Sequence, residues 1–216
     1  MNRSLIVEFV GSFFLVAVVV GSGIMGEKLS NGNDGVALLG NTIATGAILF
    51  VLIKSFSNIS GAHFNPVVSM VFFLKNEVSK KMFLYYCIFQ ITGALFAIIV
   101  SHYIFDLKIF QISTNIRGEE KMFISEVLAT FGLITTILFV GKSNSDSTAI
   151  AVALFITAGY WFTSSTSFAN PAVTIARVFT NTFTGIHPSS LLYFIFGQIT
   201  GAILAWLVYN TTKPTS

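Results

Sequence analysis

The sequence predicts an all-α membrane protein: six transmembrane helices and two re-entrant half-helices in two inverted repeats, within a single domain over residues 1–216. Three observations predict it: an apolar composition, six apolar segments of roughly spanning length, and a set of motifs that occurs twice. Of 216 residues, 54% are hydrophobic and only 10% charged, with 23 Phe and a mean hydropathy of +0.80. Soluble domains carry about a quarter charged residues, so lipid or neighbouring helices must solvate most of this chain.

Each helix crossing a bilayer needs about 20 mostly apolar residues. The first span, 4–24, contains Glu8; it is long for a signal-peptide core and lacks an Ala-x-Ala cleavage pattern. The second covers 36–56 and the third 82–104. The third includes Cys87, the lone cysteine, which reads as a small buried hydrophobe and excludes an intrachain disulfide. The fourth, fifth and sixth cover 122–141, 148–164 and 189–210, the fifth fading into the Ser/Thr run 163–167. Between these lie two shorter apolar runs, 66–74 and 171–180, each started by proline. As helices they reach roughly 13–15 Å, half a bilayer, which predicts half-helices lining a cavity.

The repeat orders these elements. Glu8-Phe-Val-Gly-Ser-Phe-Phe returns loosely as Glu126-Val-Leu-Ala-Thr-Phe-Gly, Phe64-Asn65-Pro66-Val67 as Ala169-Asn170-Pro171-Ala172, and Gln90-Ile-Thr-Gly-Ala as Gln198-Ile-Thr-Gly-Ala. Three spans per copy, over about 1–105 and 120–212, force opposite orientations and place a shared site near the midplane. With the N-terminus inside, the inner loops carry seven Lys or Arg, Lys213 among them, against five outside, which predicts cytoplasmic termini.

Asn is a favoured helix cap and Pro a favoured first helical residue, so Asn65-Pro66 and Asn170-Pro171 each start a helix sharply. The side-chain oxygen of each Asn serves its own helix, which leaves the amide NH2 to face a pore. Two such donors and two positive helix ends suit the oxygens of neutral solutes and repel cations. Glu8 and Glu126 are ionisable groups within spans and hence candidate functional residues. His63 adjoins the first Asn-Pro, as a pore-lining or loop-bracing residue. Gly61, Gly93, Ala94, Gly201 and Ala202 allow close helix approach, with Gln90 and Gln198 bonding between helices.

Ser60-Gly61-Ala62-His63-Phe64-Asn65-Pro66-Val67 closely resembles the first signature loop of the aquaporin or major intrinsic protein family, and Phe168-Ala169-Asn170-Pro171-Ala172 the second. The resemblance implies passive conduction of water or small uncharged solutes, a homotetramer in the lipid bilayer with one pore per subunit, a bacterial inner membrane, and no cofactor or metal. It assigns Glu8 and Glu126 to bracing the re-entrant loops.

Most members place Arg directly after the second motif; here Val173 stands there, and Arg177 lies one helical turn further on the same face, at the mouth. Counting back from the two Asn puts the other three filter positions at Thr45, Ala158 and Ser167, with Gly159 or Tyr160 fitting if a gap is allowed. Thr45, Ala158, Ser167 and Val173 offer no aromatic ring and no guanidinium, which predicts a wide, mild constriction. The run resembles a bacterial branch that lacks the filter arginine, implying passage of glycerol, urea or neutral metalloid acids. Inverted repeats also occur in secondary transporters, but ion coupling calls for ionisable groups where this midplane has two Asn. Catalysis has no support, since no metal-ligand cluster or activated nucleophile is present, and nucleic-acid binding would need a basic stripe.

Overall fold

In the computed structural model, which describes residues 2–118 and 120–212, local capping sets most helix boundaries. Helix α1 (Arg3–Leu29) starts where Asn2 accepts from the Ser4 amide, and α2 (Asp34–Ser60) where Asn33 accepts from that of Val36. Gly61, at φ 84°, ends α2 in the left-handed conformation that glycine adopts without strain. Two half-helices, α3 (Pro66–Leu74) and α7 (Pro171–Arg177), begin at Asn65 and Asn170. Between them come α4 (Lys80–Ile104), capped by Ser79, then α5 (Glu120–Ser143) and α6 (Thr148–Phe162); α8 (Leu191–Thr212) closes the fold. Lys213, counted on the inner side, lies outside the described residues.

Five of these helices are long and apolar enough to cross a membrane. The fifth expected span is shorter than its sequence suggested: α6 has 15 residues, about 22 Å of helix. It stops where Thr163 turns extended and its hydroxyl takes the Gly159 carbonyl at 2.7 Å. The second half-helix also ends early, at Arg177 instead of residue 180. There the chain turns, and the Val178 carbonyl accepts from the Ser113 amide at 2.9 Å.

Helix α1 buries Leu5, Glu8, Ser12, Leu15, Val19 and Gly23 on one helical stripe, while Ile6, Phe14 and Met25 stay exposed on the other. A helix apolar on both faces suits a solvent of lipid outside and a packed core inside. Small residues set the closest approaches. A Cβ on Gly93 of α4 would lie 2.3 Å from the Phe9 carbonyl oxygen of α1, and one on Gly201 of α8 2.4 Å from that of Val127 in α5. Gly93→Ala must therefore separate two backbones by about an ångström, an overpacking of about 1–3 kcal/mol or more. We expect lower yield and a lower melting temperature in detergent; wild-type values for both would refute this packing. Cys87 is half-buried on α4, less enclosed than its apolar context predicts.

Candidate functional site

The two half-helices start nose to nose. Asn65 Oδ1 accepts from the Val67 amide at 3.0 Å, and its Nδ2 donates across to the Ala169 carbonyl at 2.8 Å. Asn170 mirrors this: Oδ1 accepts from the amides of Ala172 (3.0 Å) and Val173 (3.4 Å), and Nδ2 donates to the Phe64 carbonyl at 2.8 Å. The sequence alone leaves both amide hydrogens of each Asn to the pore. In the structure one of the two instead cross-links the facing loops. Pro66 and Pro171 form the first helical residues, and Val67 and Ala172 pack into the core beside them.

The loops feeding these starts carry unusual backbone. Ala62, Phe64, Ser167 and Ala169 have φ between 46° and 53°, a region non-glycine residues rarely adopt. In each loop a buried carboxylate gathers the N–H groups that this geometry turns inward. Glu8 accepts from the amides of His63 (3.0 Å) and Phe64 (2.7 Å), the Ser60 hydroxyl (2.6 Å) and Gln90 Nε2 (2.7 Å). Glu126 accepts from the amides of Phe168 (3.0 Å) and Ala169 (2.8 Å) and from Gln198 Nε2 (2.6 Å). Each Gln also reaches its half-helix, Gln90 to the Ser69 hydroxyl at 2.9 Å and Gln198 to the Thr174 hydroxyl at 2.8 Å. Burying a carboxylate is costly unless it is hydrogen-bonded, and both are.

A cavity of about 360 Å³ runs past this junction. Its lining includes Lys54, Ser57 and Asp146, then His63, Asn65 and Asn170 at the half-helix starts, and Thr45, Tyr160, Ser167, Val173 and Arg177. The His63 ring stacks on Phe72, with centroids 4.7 Å apart, meets Tyr86 edge-on, and holds Nδ1 3.0 Å from the Ser69 hydroxyl.

The proposed filter set needs one correction. Ala158 is exposed and does not line the cavity, whereas Tyr160 does, its hydroxyl 3.1 Å from that of Thr45. The reason lies in the phase of α6. Its buried stripe runs through Val152, Ile156, Gly159 and Tyr160, and a Cβ on Gly159 would sit 2.6 Å from the Ser167 hydroxyl. That contact turns Tyr160 inward and Ala158 out. The expectation of no aromatic ring and no guanidinium fails with it. Arg177 is only 2% exposed, its Nε donates to the Thr184 carbonyl, and its guanidinium carbon lies 3.4 Å from the Phe168 ring centroid. Sequence reasoning also passed over Phe168 as a ring in the site and Arg117, which bonds Thr166, Phe183 and Gly185. Nothing local marks either, because their partners lie about 10–70 residues away.

Known proteins match this architecture over nearly the whole chain. The chain is 45% identical over 205 residues to the aquaglyceroporin AqpS of Rhizobium meliloti (strain 1021), covering 95% of this chain and 88% of that protein. It is 28% identical to the aquaporin TIP1-2 of Zea mays, covering 96% and 85%. The X-ray structure of the aquaglyceroporin from Plasmodium falciparum superposes with a TM-score of 0.79 at 20% identity over 97% of this chain and 96% of that one, so the fold is shared. The family model described as major intrinsic protein matches residues 1–157. With two capped half-helices meeting beside a lined cavity, these matches make the chain a member of the major intrinsic protein family, an integral membrane channel and not an enzyme.

Proposed function

We propose that this protein passively conducts water and glycerol-type neutral solutes, with Asn65 and Asn170 as the central solute-orienting donors. The reading rests on the cavity itself, which is lined by both half-helix starts, Asn65 and Asn170. Each Asn spends one amide hydrogen on the opposite loop, and the second remains to donate to a solute oxygen. The two helix starts add partial positive charge in a region of low dielectric, which disfavours cations and protons. Thr45, Tyr160, Ser167 and Val173 form the filter, three hydroxyls and one apolar side chain lining the same cavity; this suits a polyol, urea or a neutral metalloid acid as well as water. Glu8 and Glu126 brace the loops, and His63 is a pore-lining residue fixed by Ser69 and Phe72.

The paired networks around Glu8 and Glu126 support inverted repeats over about 1–105 and 120–212. We place the protein in a bacterial inner membrane, as a homotetramer with cytoplasmic termini. Reconstituted in liposomes, it should raise water permeability and give rapid re-swelling in hyperosmotic glycerol. Asn170→Asp, which sets a carboxylate where the helix end supplies positive charge, should raise proton or sodium leak about tenfold, a barrier change of about 1.4 kcal/mol. Unchanged ion leak in folded Asn65→Asp and Asn170→Asp channels that still pass the same solutes would sink the charge-barrier reading.

A further inference from the structure

Val173 leaves the filter position next to the second Asn-Pro without charge, yet a guanidinium stands one turn beyond it. A smaller outer cavity of about 220 Å³, lined by Asp34, Asn41, Arg117 and Thr166, adjoins the main one, and Arg177 is the residue that lines both. The side chain is thus at the junction between vestibule and pore. Its position is over-determined. Phe168 supports one face of the guanidinium, and Nε is bound to the Thr184 carbonyl. Arg117 Nη2 donates to the Phe183 carbonyl at 3.0 Å and its Nε to the Gly185 carbonyl at 3.3 Å, while Nη1 reaches the Thr166 hydroxyl at 3.3 Å. Two guanidiniums therefore take three successive carbonyls, 183 to 185, and Arg117 fixes the strand of chain that fixes Arg177.

No carboxylate lies within salt-bridge distance of Arg177, although Asp34 lines the same outer cavity and the buried Glu126 carboxylate lies in its electrostatic surroundings. Among the described residues the one ion pair is Lys75–Glu77, on other elements, and the terminal nitrogens of Arg177 have no protein acceptor. With its central carbon over the Phe168 ring and only Nε bonded, the guanidinium keeps its terminal N–H groups free to donate to a passing oxygen. In a water-poor constriction a fixed, unpaired cation repels sodium and hydronium far more strongly than it would in bulk water.

Resting on the reading of the main cavity as a pore, we propose that Arg177 is the charge-discriminating residue of the outer constriction, doing from one helical turn further out what Val173 cannot. Arg117 is a positioning residue: it acts through the 183–185 strap and adds a second positive charge behind the first.

The test compares the ratio of cation to glycerol permeability in proteoliposomes, using a sodium or proton dye against light scattering. Arg177→Gln should raise that ratio at least tenfold, Arg177→Lys should keep it within about threefold of wild type, and Arg117→Gln should raise it by an intermediate amount. A ratio unchanged in Arg177→Gln overturns the proposal. If Arg177→Gln fails to fold, Arg117→Gln supplies the test, since it releases the 183–185 strap that holds Arg177 and removes the second charge. An elevated ratio supports the proposal and a wild-type ratio overturns it. Glycerol flux at the lipid background in the wild-type protein would instead sink the pore reading beneath it.

Discussion

Glu8→Ala is expected to abolish recovery of folded protein from detergent extracts, and Glu126→Ala to come close. Each substitution removes the acceptor of several buried donors at once: four for Glu8, three for Glu126. A buried donor left unpaired costs about 1–3 kcal/mol, so the loss is at least about 3–4 kcal/mol before any cavity is counted. Typical stabilities are only about 5–15 kcal/mol. Two of the stranded donors in each half are amides of loop residues next to or within left-handed backbone, which has little else to hold it. Glu8→Gln keeps the shape but turns an NH2 toward other donors, so it should fall between Ala and wild type. Fluorescence size-exclusion yield and thermal midpoint read the effect, with a fall in midpoint of about 10 °C or more for the Ala variants that can be purified. Wild-type yield combined with an altered solute profile would move both acids out of a bracing role and into the pore.

Val173→Arg should cut glycerol and urea permeability about tenfold and water permeability much less. Val173 lines the same cavity as the Thr45–Tyr160 hydroxyl pair, and Val has neither the length nor the forked donors of Arg. A second guanidinium there, one turn from Arg177, narrows the passage. A molecule of water still fits where a three-carbon polyol does not. The comparison is side-by-side stopped-flow light scattering with each solute on one batch of liposomes. Proportional loss of water and glycerol flux, or no loss of either, would show that position 173 does not set solute size.

Much of this fold is legible in the sequence because its signals are local. Asn-Pro specifies a helix start from two adjacent residues, so the half-helices and their first residues follow directly from the chain. Gln90 and Gln198 are readable as a repeated pair, and the structure gives both the same partners, a buried acid and a half-helix hydroxyl. The proposed filter is harder. Residues 163–168 form an irregular link between α6 and the second Asn-Pro, and counting back across them loses helical phase, which is how Ala158 stands in for Tyr160. The Gly159–Ser167 contact that restores the phase is a packing fact with no linear signature. Arg177 is similar: its face of α7 is readable, but its seat on Phe168 and its bond to Thr184 depend on where the chain returns after the helix.

The claim that a passive pore for neutral solutes runs past Asn65 and Asn170 is tested most directly by glycerol flux into proteoliposomes at graded concentrations, with and without sodium and proton gradients. Flux should be well above that of protein-free liposomes, linear in the glycerol gradient, indifferent to either ion gradient and without net charge. Flux at the lipid background, or flux that saturates and follows an ion gradient, would contradict it.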